Sequence, residues 1–127
     1  KNNPNVSFQI MDCRDLLKLN KKYDAILAGF CLPYLTKEEV FQLIFDAKTS
    51  LHSKGILYLS TMEDDYNKSG FRKSSQGDEM FMHYHEVDYI IDSLVNNDFK
   101  IVNVSRKITT MTDGSTVTDL VIIASTN

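Results

Sequence analysis

The sequence predicts an α/β fold, in which a parallel sheet with flanking helices ends in an antiparallel hairpin. Short apolar runs of strand length alternate with segments of helical periodicity, a pattern typical of parallel strands that are covered on both faces. An Asp-Gly pair between two strand-like segments near the end of the chain indicates the hairpin. The 127 residues suffice for one domain with a single core.

The parallel part is predicted to contain three strands and one helix. Residues 6–11 alternate apolar and other side chains after an Asn/Pro turn, and residues 23–30 and 56–60 are apolar runs. The helix begins with a capping box, in which Thr36 and Glu39 each bind the other's backbone N–H. Apolar residues then follow at helical spacing: Val40, Ile44, Ala47 and Leu51.

A second helix and the hairpin complete the predicted elements. Gly55 is expected to end the first helix in the left-handed conformation. Asn96 and Asn97 are expected to cap the end of the second helix. The hairpin strands are predicted at residues 99–107 and 116–125. The second helix is indicated by apolar residues on one face: Val87, Ile90, Ile91, Leu94 and Val95.

Charge and composition narrow the classes of partner. The net charge is −3 and the lysines are scattered, which argues against a nucleic-acid backbone as the main partner. No apolar run approaches the roughly 18 residues of a membrane span, so we expect no membrane partner. Cys13 and Cys31 lack the spacing of a zinc site, and a reduced, cytoplasmic setting fits them best.

The order of elements resembles the second half of the class I S-adenosylmethionine-dependent methyltransferase fold. The local motifs that carry the resemblance lie at residues 11–15, 23–27, 54–57, 85–89 and 97–100. That family has a Rossmann-like sheet of order 3-2-1-4-5-7-6 with strand 7 antiparallel. The resemblance implies that this chain holds strands 3, 4 and 5 in parallel, then the 6–7 hairpin. The family's glycine-rich loop and the acidic residue that binds ribose would precede Lys1.

We therefore expect residues 1–127 to form one incomplete domain of this type, truncated at its N-terminus. The resemblance implies transfer of a methyl group from S-adenosylmethionine to a small-molecule acceptor, by a longer or assembled enzyme. It implies no particular catalytic residue, because aligning and desolvating the reactants supplies most of the catalysis. The alternative is a non-catalytic, degenerate α/β module that dimerises through its sheet edge.

The resemblance also implies which residues bind the cofactor. The Asp12 carboxylate would accept from the adenine amino group, and the Cys13 backbone N–H would face the ring. Gly29 would let the backbone approach the cofactor closely, and Phe30 or Tyr34 would shield the sulfonium with an aromatic face. Two alternatives stay open: Asp12 as a turn cap, and Phe30 as an ordinary core residue.

The connection at residues 63–84 mixes charged and aromatic side chains, which suits a lid over a substrate. We expect Tyr34, Tyr66, His83 and His85 to line the substrate site. The alternative for this connection is a solvated loop, and His85 is either a general base or a cap of the second helix. His83 and His85 have metal-ligand spacing without a third ligand, so no metal is expected.

The strand at residues 6–11 raises a question of pairing. In the family, strands 1 and 2 lie between strands 3 and 4. An unpaired strand at residues 23–30 would expose an apolar edge. We expect strands 3 and 4 to pair directly, or a second copy to fill the gap in a homodimer or by strand exchange.

Overall fold

The computed structural model describes residue 16 and residues 22–29, 31–73 and 79–126. The strand predicted at residues 6–11 lies outside this part of the chain, as do three predicted cofactor residues, Asp12, Cys13 and Phe30. How strand 3 pairs therefore stays a prediction.

The described residues form one main sheet, a small two-stranded sheet and two helices. The elements are β1 (Tyr23–Gly29), α1 (Lys37–Ser50), β2 (Leu51–Glu63), β3 (Gly70–Lys73), β4 (Glu79–Met82), α2 (Val87–Asn96), β5 (Lys100–Thr110) and β6 (Thr116–Ser125). The main sheet has the order β1-β2-β6-β5, and the small sheet contains β3 and β4. β1 runs parallel to β2, while β6 is antiparallel to both β2 and β5. This confirms the predicted order of strands 4, 5, 7 and 6.

The signals predicted at the start of α1, at the end of α2 and at the hairpin turn are present in the structure. The Glu39 carboxylate accepts from the Thr36 N–H at 2.8 Å, and the Thr36 hydroxyl accepts from the Glu39 N–H at 3.1 Å. Asn97 is the C-cap of α2. Gly114 has a φ of 90° in the turn between β5 and β6, a conformation that glycine adopts without strain.

Gly55 is needed for a different reason from the one predicted. α1 already ends at Ser50, and the residue with positive φ is Lys54, at 62°. A Cβ on Gly55 would lie 2.8 Å from the His52 carbonyl oxygen, too close for any side chain. The Gly55 N–H donates to the Thr126 hydroxyl at 2.8 Å, which ties the start of β2 to the end of β6. The prediction that Gly55 ends α1 in the left-handed conformation was wrong. Glycine is needed at this position because the His52 backbone lies too close for a Cβ.

The core lies between one face of the main sheet and the two helices. The buried sheet residues on this face are Leu57, Leu59, Leu120, Ile122 and Ala124. They pack in one cluster with the buried helix residues Val40, Leu43, Ile44, Ala47, Ile90 and Leu94.

Within the described ranges, neither helix is long and apolar enough to cross a membrane.

The opposite face of the sheet is partly open. Leu27 is 73% exposed and Ile56 is 36% exposed, although both lie on strands that a doubly covered sheet would bury. Ala25 stands beside Ile56, and Leu27 beside Tyr58, in the parallel register of β1 and β2. In the part of the chain that is described, β1 pairs with β2 alone, so this face and edge are apolar and uncovered.

We expect Gly55→Ala to lower the free energy of unfolding by about 1–3 kcal/mol, because the added methyl group meets backbone that cannot move without breaking β2. Urea unfolding followed by circular dichroism measures this. Gly29→Ala is the matched control, because a Cβ there lies 3.8 Å from the Ser60 hydroxyl, in ordinary contact. Equal midpoints for the two variants would contradict this explanation.

Candidate functional site

Two connections meet at the carboxyl ends of β1 and β2, the edge at which open α/β sheets bind ligands. The first contains the 3-10 turn Leu32–Tyr34, and the second runs from Asp64 to the start of α2. The His83 N–H donates to the Pro33 carbonyl at 2.8 Å, so the two connections are in direct contact. The Asp64 N–H donates to the His85 carbonyl at 3.2 Å, which holds the end of the second connection against β2.

His85 lies beneath this edge and is fully buried. Its Nε2 is 2.9 Å from the Leu32 carbonyl oxygen and 3.1 Å from that of Leu35. Since both partners only accept, Nε2 carries the proton and donates to them. Nδ1 of the neutral ring then accepts from the Tyr89 hydroxyl, 2.6 Å away. Both ring nitrogens are thus engaged, and they join the first connection to α2.

Burial explains the charge state of this pair. It lowers the pKa of His85 below 6.5, and the nearby charges of His83 and Lys37 act in the same direction. The bonds to the two carbonyls oppose the shift but are the smaller effect. Burial also raises the pKa of Tyr89 well above its usual value. Both groups are therefore neutral at pH 7, so the Tyr89 hydroxyl donates and His85 Nδ1 accepts.

Tyr66 stands above His85 at the centre of an aromatic cluster, which we define as Tyr66, His83, His85 and Tyr89. The Tyr66 ring lies 6.0 Å from that of His83, 5.8 Å from that of His85 and 6.3 Å from that of Tyr89. Its N–H donates to a Glu86 carboxylate oxygen at 2.9 Å. The cluster therefore spans the second connection and the start of α2.

Lys37 adds a positive charge to the aromatic cluster. Its Nζ lies 4.8 Å from the centre of the Tyr66 ring and 4.7 Å from that of Tyr89, within the range of a cation–π interaction. Its backbone N–H, one of those that a helix leaves unpaired in its first turn, donates to the Tyr66 hydroxyl at 3.2 Å. One residue at the start of α1 thus binds both the face and the hydroxyl of Tyr66.

An open, acidic cavity of about 310 Å³ lies between the end of β2 and the start of α2. Several of its carboxylates already have partners: Glu63 binds Arg106, Asp64 lies 3.3 Å from Lys68, and Glu86 accepts from Tyr66. These pairs reduce the net charge that a ligand would meet. The lining residues are Glu63, Asp64, Asp65, Glu86, Val87 and Asp88.

The structure brings together most of the described residues that the sequence analysis assigned to a substrate site. Tyr66 and His83 lie in contact, and Tyr34, 51% exposed, follows the Pro33 that binds His83. His85 lies below them rather than at the surface. Whether these four residues line a substrate stays a prediction. Gly29 lies exposed at the end of β1, where the described atoms leave room for a Cβ.

The structure contradicts both roles considered for His85, that of a helix cap and that of a general base. The N-cap position of α2 is held by Glu86, so His85 does not cap that helix. A general base needs a free nitrogen that faces the acceptor, and both nitrogens of His85 are bound within the protein. Across the described ranges, no three His, Cys, Asp or Glu side chains are grouped to hold a metal ion.

Tyr89 and Lys37 belong to the site but were not predicted from the sequence. Tyr89 lies off the apolar stripe of α2, and His85 precedes that helix, so no helical spacing links the two residues in the sequence. Lys37 places a cation in the first turn of a helix, where the dipole disfavours it, which points to another interaction. Only the tertiary structure shows that this interaction is with two aromatic rings.

The sequence matches no protein-family model and no curated protein. Its fold is nevertheless similar to solved methyltransferase structures. A provisionally assigned S-adenosylmethionine-dependent methyltransferase from Listeria monocytogenes has a TM-score of 0.77 at 16% identity, over 100% of this chain and 72% of that one. An S-adenosylmethionine-dependent methyltransferase from Methanosarcina mazei has a TM-score of 0.68 at 16% identity, over 84% of this chain.

A third similar structure contains bound ligands. It is the 1,6-didemethyltoxoflavin-N1-methyltransferase of Burkholderia thailandensis with 1,6-didemethyltoxoflavin and S-adenosylhomocysteine, with a TM-score of 0.56 at 16% identity over 84% of this chain. The matches cover 60% of the Methanosarcina chain and 44% of the Burkholderia chain. The described elements therefore have the class I methyltransferase fold and correspond to part of such a domain.

We expect acid to destabilise the protein through His85. Because the pKa of His85 is lowered in the folded state, the unfolded chain takes up the proton first as the pH falls below 6.5. The stabilisation is complete above pH 6.5 and is lost progressively below it. His85→Gln should lower the free energy of unfolding at pH 8 by about 1–3 kcal/mol and make it depend less on pH.

Urea unfolding at several pH values between 8 and 5 measures both effects. His52→Gln is the control, since His52 is exposed and its removal should leave the acid sensitivity unchanged. The same acid sensitivity in wild type and His85→Gln would show that another group is responsible.

Proposed function

We propose that this chain is the part of a class I methyltransferase that positions the acceptor, and that the complete enzyme transfers a methyl group from S-adenosylmethionine to a small molecule. The observation that carries the proposal is the contact between the two connections, made by His85 and His83 at the carboxyl ends of β1 and β2. The methyltransferase fold of the same strands supports it.

Gly29 fits the cofactor side of this proposal. It ends β1 with an exposed backbone, and a side chain there would enter the open space at the sheet edge. When bound, S-adenosylmethionine would supply a methyl group on a sulfonium: the acceptor atom would bond to the methyl carbon as the carbon–sulfur bond breaks, S-adenosylhomocysteine would leave, and the acceptor's proton would pass to solvent. Asp12, Cys13 and Phe30 remain the further residues that we expect to hold the cofactor.

On the acceptor side, the chain's residues position groups rather than react. His85 fixes the first connection through two carbonyls and holds the Tyr89 hydroxyl, so the floor of the site is rigid. Tyr66 and His83 form a wall above it. Alignment of two reactants lowers a reaction barrier by as much as about 7–11 kcal/mol. Because the acceptor is itself the nucleophile, the proposed reaction needs no nucleophilic side chain from the protein.

The cofactor site is tested by titrating the chain with S-adenosylhomocysteine in a calorimeter. Gly29→Val should weaken binding at least about tenfold, or about 1.4 kcal/mol, because the branched side chain fills the space that the ligand needs while remaining compatible with a strand. Ala25→Val is the matched control, since Ala25 is also exposed on β1 but lies away from the carboxyl end. Equal affinity in both variants would contradict the assignment of Gly29.

A second candidate function is association through the sheet edge, which the 73% exposure of Leu27 favours. Under this proposal two copies cover each other's open face beside β1. Leu27→Glu should then shift the protein from dimer to monomer in sedimentation velocity at micromolar concentration. Ile108→Glu is the control, because Ile108 is 67% exposed on β5 at the other edge. A wild-type chain that is monomeric at all concentrations would contradict this candidate.

A further inference from the structure

The small sheet of β3 and β4 presents two exposed rings. Phe71 and Phe81 stand directly opposite each other in its register, with ring centres 5.1 Å apart and planes at 86°. They are 67% and 42% exposed, although phenylalanine has no polar atom to gain from water. Adjoining exposed apolar side chains are a common feature of ligand-binding surfaces.

A series of ring contacts leads from Phe81 toward the interior of the protein. The Phe81 ring lies 4.7 Å from that of His83, and the His83 ring is stacked on that of Tyr66 at 6.0 Å with 19° between the planes. We call Phe71, Phe81, His83 and Tyr66 the aromatic stripe. It runs from solvent to the aromatic cluster, and the bond from His83 to Pro33 fixes its inner half beside the connection that leaves β1.

We propose that the aromatic stripe binds the methyl acceptor and that this acceptor is a flat aromatic compound. Flat rings pair with the exposed Phe71 and Phe81 in the edge-to-face or offset geometry that aromatic pairs prefer. The description of the ligand as the methyl acceptor rests on the proposed function; the binding surface itself does not.

The first experiment compares two probes of the same skeleton on the wild-type chain, 2-naphthol and its saturated analogue decahydro-2-naphthol. Amide chemical shifts in nuclear magnetic resonance report both titrations. We expect 2-naphthol to bind about three- to tenfold more tightly, the difference that ring pairing contributes beyond apolar area. The amides that shift should be those of residues 66–71 and 81–85. Equal affinities, or shifts elsewhere in the chain, overturn the proposal.

Variants then test the two parts of the stripe. Phe81→Leu keeps an apolar side chain but removes the ring, and should weaken 2-naphthol binding about threefold or more. His83→Leu removes the next ring of the stripe and should also weaken it. Phe45→Leu is the matched control, because Phe45 is 54% exposed on α1, and it should change the affinity less than twofold. Equal effects of Phe45→Leu and Phe81→Leu overturn the proposal.

The titration with S-adenosylhomocysteine separates this inference from the proposed function. Binding of S-adenosylhomocysteine without discrimination between the naphthols refutes the stripe and leaves methyl transfer in place. Discrimination between the naphthols without S-adenosylhomocysteine binding supports the stripe as an aromatic site and removes its description as a methyl-acceptor site. If circular dichroism shows that Phe81→Leu does not fold, the comparison of the two naphthols on the wild-type chain still tests the proposal.

Discussion

The neutral, buried imidazole of His85 is the constraint on which the site depends. Its proton and its lone pair point in opposite directions, so one ring joins the carbonyls that follow β1 to the hydroxyl of Tyr89 on α2. A charged ring would make Nδ1 a donor, so the Tyr89 hydroxyl would have to accept instead of donate, and an apolar residue would leave two carbonyls without this donor. The two connections are therefore held together by a buried group that burial keeps neutral.

The arrangement of rings around His85 follows from this constraint. Tyr66 covers it, Lys37 covers Tyr66, and His83 extends the contact toward the small sheet. Each of these side chains is also tied through its backbone: Tyr66 to Glu86, Lys37 to the Tyr66 hydroxyl, and His83 to Pro33. The same residues thus make both the backbone hydrogen bonds and the ring contacts of the site.

Much of the fold could be predicted from the sequence, because its signals are local. The capping box at Thr36, the periodicity of α1 and α2, and the Asp-Gly turn of the hairpin act within a few residues. The role of Gly55 could not be predicted, since the atoms that exclude a side chain are placed by the unexpected end of α1 at Ser50. The same holds for the site: the presence of Tyr66, His83 and His85 was visible, but the depth of His85 and the part played by Lys37 depend on tertiary contacts.

The hydroxyl of Thr126 has a consequence for how the sheet opens. It accepts from the Gly55 N–H and donates to the His52 carbonyl at 2.7 Å, so the end of β6 is attached to the junction of α1 and β2. The C-terminal end of β6 therefore does not open by itself, because its release also breaks the hydrogen bonds at the start of β2. Amide hydrogens along β6 should consequently exchange with solvent in one cooperative step together with those of β2, rather than progressively from the C-terminal end of β6.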